Sequence, residues 1–243
     1  MKSKVIDIMI IAVLMWAVLS IPSYRDTVEQ VWKATERPVV VIDPGHGGMD
    51  GGAEGGDGTA EKDVNLKISL KLKDHMEKAG VRVIMTRDSD TGLYDEGEQG
   101  TIRYLKTKDM HERKRIIDEA GADLVISIHL NSFTQDGSVK GAQVFYPSAG
   151  ADELVEKSCA AAEIVQENLN LNINTDKKRT ELGKDDVYLL QNVTCPIIIT
   201  ECGFLSNDED LNNLKKDKFQ EEIAKSLKVS ICKYLEENGN KTQ

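Results

Sequence analysis

VVVIDPGHGGMDGGAEGGDGTAE, Val39 to Glu61, is a β-branched run that breaks at Asp43-Pro44-Gly45-His46, crosses a glycine-dense loop and ends on a glutamate where helical spacing begins. The β-branched residues favour extended backbone, and the glycines let other groups approach the main chain closely. Beyond Glu61, Val64, Ile68, Leu72 and Met76 recur every four positions as far as Gly80, flanked by Leu66 and Leu70, which predicts a helix packing one broad face. Val81 to Thr86, VRVIMT, reads as the next strand. Strand, helix, strand is a βαβ crossover, and it commits the chain to a mainly parallel sheet.

Working outward, Thr91 to Lys108 is polar and glycine-bearing and reads as a loop, followed by a short helix from Met110 to Ala120 that Gly121 closes. Asp123 to His129, DLVISIH, is apolar enough for a central strand. Gly141 to Tyr146 predicts a strand, Asp152 to Leu169 a helix, Val187 to Leu190 a short strand, Ile197 to Glu201 a strand and Phe219 to Leu235 a closing helix. The alternation predicts an α/β fold, a three-layer sandwich with a mainly parallel or mixed central sheet flanked by helices, in one domain over residues 38–238.

The ends of the chain read differently. Lys2 and Lys4 precede an uninterrupted apolar run from Ile8 to Leu19. As a helix that run spans about 18 Å, against a hydrocarbon core of roughly 30 Å. Residues 1–22 are therefore expected to be a cleaved signal peptide or a short membrane anchor, residues 23–37 a polar spacer and residues 239–243 a tail. The protein is expected to be exported and extracytoplasmic, touching membrane only through this first segment. A formal net charge of −10 leaves no basic stripe to neutralise phosphates, which excludes nucleic acid as a partner. Cys159, Cys195, Cys202 and Cys232 form no CxxC pair. Cys195 and Cys202, at the two ends of one strand, would lie roughly 23 Å apart, beyond disulfide reach, so thiols are expected.

In open α/β sheets ligands gather beyond the carboxyl ends of strands. Three strands here end in groups that bind metal or move protons: Asp43-Pro44-Gly45-His46, Ser127-Ile128-His129 and Thr200-Glu201. His46, Glu61 and His129 make the three-ligand set of a catalytic zinc that keeps one position for water. The dipole of the helix opening at Glu61 helps keep that carboxylate ionised. Glu201 is the candidate general base for hydrolysis, with the metal activating water and carrying charge on a carbonyl oxygen. Asp43 and Asn131 are candidates for orienting the histidines. A phosphate cradle is the competing reading of the glycine loop. Asp50, however, stands where the dinucleotide fingerprint needs its third glycine, and no Gly-Lys-Ser/Thr follows. His75 and His111 read as solvated helix residues, and Cys202 as a buried thiol beside the base rather than a nucleophile.

Four ordered segments, IDPGHGGMDGGA, GTAEKDVNL, ADLVISIHLNS and PIIITECGFLSN, resemble the motifs of the zinc-dependent N-acetylmuramoyl-L-alanine amidases of the bacterial cell wall. The resemblance covers nearly all of Pro38 to Leu235. It implies that His46, Glu61 and His129 hold one zinc ion, that Glu201 is the catalytic carboxylate, and that the substrate is peptidoglycan, cut between the lactyl group of N-acetylmuramic acid and L-alanine. Arg179, in DKKRTEL, lies where the family carries an arginine near the substrate groove. Division enzymes of the family often insert an autoinhibitory helix where this chain has only PSAGA, Pro147 to Ala151, and residues 25–243 contain no wall-binding repeats. In this respect the chain is similar to the germination-specific amidases of endospore formers. That likeness implies a role in spore cortex on the way to muramic-δ-lactam, in the spore intermembrane space, with a protein activator or targeting partner. The alternatives are an autolytic or division amidase of the vegetative wall, a zinc peptidase or deacetylase on the same polymer, and a non-catalytic wall-binding or regulatory protein.

Overall fold

Val40, Val41 and Ile42 are fully buried and carry the β-branched run through the centre of a six-stranded sheet. The structure is a computed structural model and describes residues 37–95, 97–174 and 176–238. The expected signal or anchor, the spacer up to residue 36 and the tail lie outside the described residues. From the amino end the elements are β1 (Val39–Pro44), α1 (Glu61–Lys78), β2 (Arg82–Met85), α2 (Ile102–Ala120), β3 (Leu124–Asn131) and β4 (Gln143–Pro147). They continue with α3 (Asp152–Asn172), β5 (Leu182–Lys184), α4 (Tyr188–Asn192), β6 (Ile197–Phe204), α5 (Asp208–Leu214) and α6 (Asp217–Asn238).

The strand order is β2-β1-β3-β6-β4-β5. The first four run parallel, β4 is antiparallel to β6, and β5 is parallel to β4, so the sheet is mixed. Alternate residues face opposite layers. Val40, Ile42, Leu124, Ile126, Ile128 and Ile198 pack with apolar residues of α1, α3 and α6. Val41, Val125, Ile197 and Ile199 pack with Ile117 of α2 and Leu189 and Leu190 of α4. This is the expected three-layer α/β sandwich. Burying each such side chain is worth about 1.5–3 kcal/mol, and the two apolar layers pack the helices onto the sheet. Asp43, Ser127, His129 and Glu201 share the odd parity of the second face and carry it to the carboxyl edge.

Two expected elements are corrected. The segment expected as a loop up to Lys108 already contains the start of α2. Thr101 caps that helix, its Oγ1 accepting from the Tyr104 amide at 3.2 Å, and Leu105 is buried at its first turn. The expected strand at Val187 to Leu190 is largely the helix α4, and the neighbouring short strand is instead β5, earlier in the chain. A four-residue apolar run carries no period long enough to separate helix from strand, and contact with Ile117 decides it. The helix α5 had no expectation; Asn207 caps it, accepting from the amides of Glu209 and Asp210. All four cysteines are free thiols. Among the described residues no helix is long and apolar enough to cross a membrane.

Candidate metal centre and active site

The centre is built at the carboxyl edge of β1, β3 and β6. The amide of Gly45 donates to the carbonyl of Ile128 at 2.9 Å, which continues the β1–β3 pairing one step beyond the strand and sets Gly45 beside His129. The ring of His129 lies directly over Gly45, where a β-carbon would come within 2.2 Å of it. After His129 the β3–β6 register shifts by a bulge, which ends the regular ladder at the ligand. His46 follows in a left-handed conformation, φ 62°, and is the one non-glycine residue with positive φ among the described residues.

Glu61 opens α1, which packs on the opposite face, and its carboxylate reaches over the sheet edge. Its Oε2 accepts from the Ala53 amide at 2.8 Å and its Oε1 from the Leu130 amide at 3.0 Å. The same Oε1 lies 3.0 Å from His129 Nδ1 and 3.2 Å from His46 Nε2. Gly52 backs the pair, since a β-carbon there would sit 2.5 Å from Glu61 Oε2 and 2.8 Å from His46 Cδ2.

Donor atoms of His46, Glu61 and His129 all lie within 4.8 Å of one another, so the structure gathers the expected ligand set and the group could hold a metal ion. Three features fit a cation. Two imidazole nitrogens and one carboxylate oxygen are the donor set of an open zinc site. Gly45 and Gly52 leave space for those donors that any side chain would fill. The charge balance also favours a positive charge. Burial works to lower the His46 pKa, but hydrogen bonds to Asp50 and Glu61 raise it to about 9. Burial opposes ionisation of Glu61, yet its bonds to both histidines hold it well below the usual carboxylate range.

Glu201 stands opposite His129 in the β3–β6 register and opposite Gln143 in the β4–β6 register. Its Oε2 is sealed from solvent without a hydrogen-bond partner among the described residues. Burial pushes its pKa up, the neighbouring charge of His129 offsets part of that, and Glu61 adds to it. A carboxylate close to the donor cluster, with one free oxygen and a raised pKa, can accept and release a proton. A cavity of about 260 Å³ adjoins the two histidine rings, walled by Met49, Leu105, Met110 and Leu189.

Asp43 and Asn131 do not orient the histidines. Asp43 is buried and bonded to Thr86 at 2.6 Å, Ser127 at 2.6 Å and Arg113 at 2.5 Å. Burial opposes its charge, but Arg113 and the two hydroxyls bring its pKa down to about 2. All three of these bonds go to groups other than an imidazole, so Asp43 holds neither histidine ring through a hydrogen bond. Asn131 lies past the bulge and turns its Oδ1 to the Ser132 amide at 2.8 Å. The orienting carboxylate is Asp50, whose Oδ2 lies 3.0 Å from His46 Nδ1 and whose Oδ1 meets Lys106 of α2 at 2.7 Å. His-x-x-x-Asp spacing was its only signal in sequence. Arg179 donates to the Lys140 carbonyl at 2.7 Å and to Gln143 Oε1 at 3.3 Å, and its guanidinium lies 5.0 Å from the centre of the Phe204 ring. It is thus one residue removed from Glu201, through Gln143. His75, expected to be solvated, lies 2.9 Å from Glu221 and ties α1 to α6. His111 is exposed and stacks on Tyr188. Cys202 is buried, and burial pushes its thiol above the ordinary range.

Comparison with known proteins adds independent findings. Residues 40–233 match the model of a family described as N-acetylmuramoyl-L-alanine amidase. The chain is 39% identical over 222 residues to the germination-specific N-acetylmuramoyl-L-alanine amidase of Bacillus subtilis (strain 168), covering 89% of this chain and 90% of that protein. It is similar to the CwlD amidase from Clostridioides difficile, solved in complex with the GerS lipoprotein, with a TM-score of 0.77, 37% identity and coverage of 82% of this chain and 99% of that one. The amidase AmiC2 of Nostoc punctiforme matches with a TM-score of 0.67, 33% identity and coverage of 82% and 97%.

Proposed function

The chain belongs to the N-acetylmuramoyl-L-alanine amidase family, and from that premise we propose that it cleaves peptidoglycan of the spore cortex between the lactyl group of N-acetylmuramic acid and the L-alanine of the stem peptide. That cleavage is the first step toward muramic-δ-lactam. The observation that carries the reading is the convergence of His46, Glu61 and His129 within 4.8 Å, with Glu201 in register beside them. The 39% identity to a germination-specific amidase favours the cortex over the vegetative wall.

In this reading the ion is zinc, held by His46, Glu61 and His129, and when bound it supplies Lewis-acid chemistry that acidifies water and draws charge from the scissile carbonyl. Glu201 takes the proton of the attacking water and returns it to the L-alanine nitrogen as the carbon–nitrogen bond breaks. Its raised pKa suits both transfers, since a base too weak would not accept the proton and one too strong would not release it. Asp50 steadies His46 through Nδ1, and Lys106 holds Asp50 in turn. We assign the protein to the extracytoplasmic side, with residues 1–22 as signal or anchor. We also assign it a protein partner that activates or targets it, a reading supported by the similar amidase solved with the GerS lipoprotein.

The test is mass spectrometry of spore and vegetative peptidoglycan incubated with the purified, zinc-loaded protein, alone and with extract of the producing cell. Peptides beginning with L-alanine, released faster from spore material, are the expected product. Cleavage of another bond would point to the peptidase or deacetylase reading. Binding without any release, in every condition, would point to a non-catalytic role.

A further inference from the structure

Three consecutive carbonyls, those of Pro44, Gly45 and His46, meet two buried guanidiniums. Arg87 donates from Nε to Pro44 at 3.0 Å and from Nη2 to Gly45 at 3.0 Å. Arg113 donates from Nη1 to Pro44 at 2.8 Å and from Nη2 to His46 at 2.6 Å. Arg113 is wholly buried, and its charge is matched by Asp43 at 2.5 Å and Asp109 at 2.6 Å. The carbonyl held by Nη2 belongs to the ligand His46 itself, in its left-handed conformation at φ 62°. That region crowds a β-carbon against backbone, and a non-glycine residue stays there only where its surroundings over-determine it.

An ion pair that only joined α2 to the sheet would need Nε and Nη1 for Asp109 and Asp43. The bond from Nη2 to the ligand's carbonyl is additional, and it depends on the planar fork of arginine. Lysine keeps the charge but offers one nitrogen and cannot span Asp43, Asp109, Pro44 and His46 together. Arg87 bonds the carbonyls of Pro44 and Gly45 in the same loop but not that of the ligand.

We propose that Arg113 is a positioning residue of the metal centre: by gripping the His46 carbonyl it fixes the left-handed turn that aims the imidazole at Glu61 and His129, and so sets the affinity for the ion without touching it. This rests on the metal assignment above. The test measures the zinc dissociation constant of the full chain by chelator competition, together with the circular dichroism and melting temperature of the metal-free protein and the absorption spectrum of its cobalt form. Arg113→Lys is expected to weaken binding by about 10–100-fold and to change the cobalt spectrum, with the fold retained. Asp109→Asn, which loosens the guanidinium only at Nε, is expected to weaken binding by about threefold or more. A lowered melting temperature with both dissociation constants within about twofold of wild type would reduce Arg113 to a structural ion pair and overturn the proposal. Should Arg113→Lys fail to fold, Asp109→Asn decides by the same two thresholds. Absence of metal binding in the wild-type chain would overturn the metal assignment and this inference with it, whereas tight wild-type binding with unchanged variants overturns this inference alone.

Discussion

Replacing Gly45 by alanine adds one methyl group, and the structure says where it goes. The new carbon would lie 2.2 Å from Cε1, 2.4 Å from Nε2 and 2.6 Å from Nδ1 of His129, whereas ordinary contact begins near 3.4 Å, so the ring must retreat by about 1.2 Å. Gly45 does not occupy the positive-φ region, so backbone strain adds nothing and the effect is steric. Ligand distances in a metal site tolerate about 0.2 Å, several times less than the forced shift. A misplacement of about 1 Å also costs on the order of 100-fold in rate where reacting groups are pre-positioned. Gly45→Ala is therefore expected to lose most bound metal at stoichiometric zinc and to release L-alanine-terminated peptides at least about 100-fold more slowly. Gly56→Ala is the control from the same loop, because its β-carbon meets nothing within 4 Å and its φ is not positive. Metal content by elemental analysis and peptide release by mass spectrometry are the two readouts. Full metal occupancy with turnover within about threefold of wild type in Gly45→Ala would refute the steric reasoning, as would equal damage in Gly56→Ala.

Glu201→Gln keeps the shape and removes the proton acceptor; turnover is expected to fall by about 10²–10⁴-fold with zinc content unchanged, and a variant that kept its rate would remove Glu201 from the mechanism. Asp43 carries an acid-stability signature. Its folded pKa of about 2 lies below its ordinary 3.8, so its contribution, on the order of 2 kcal/mol, is complete above the unfolded value and lost as pH falls through about 2. Ser127→Ala removes one of its donors and should move the onset of acid unfolding to higher pH, followed by denaturant titration between pH 5 and pH 2; an unmoved onset would contradict the assignment. Cys195, whose thiol burial pushes up to about 12, and Cys202 should resist maleimide in the native protein, while half-buried Cys159 and Cys232 react first. Early labelling of Cys202 would show that the core opens around β6.

The residues visible in sequence were those whose position along an element announces them. His129 and Glu201 end apolar runs, His46 follows one and Glu61 begins a helical period, so the sheet's own rule for ligand sites brought them together before any coordinates. Asp50 and Arg113 were hidden for the opposite reason. Asp50 sits in a loop already read for its glycines, where an acidic residue four positions after a histidine is a weak signal, whereas Arg113 depends on partners far along the chain and looks like a solvated helix residue until the sheet closes over it. Asp43 looked available beside the histidines because sequence cannot show that Thr86, Ser127 and Arg113 already occupy it. The first turns of α2 escaped because Ile102 is exposed and Leu105 alone marks the buried side, too few positions to establish a period.

The three donors reach the centre by unequal routes. Glu61 is delivered by a helix whose Val64 and Ile68 are locked in the core, and His129 by a central strand. His46 alone rides on the glycine loop. Two-thirds of the site is therefore a finished socket that exists whether or not an ion occupies it, and the loop is the latch. Stripping the ion should leave a folded protein ready to reload, unlike small zinc domains that unravel without their metal. The hold that Arg113 and Asp50 keep on His46 is therefore the part of the site on which metal affinity depends most, with the sheet and helices unmoved.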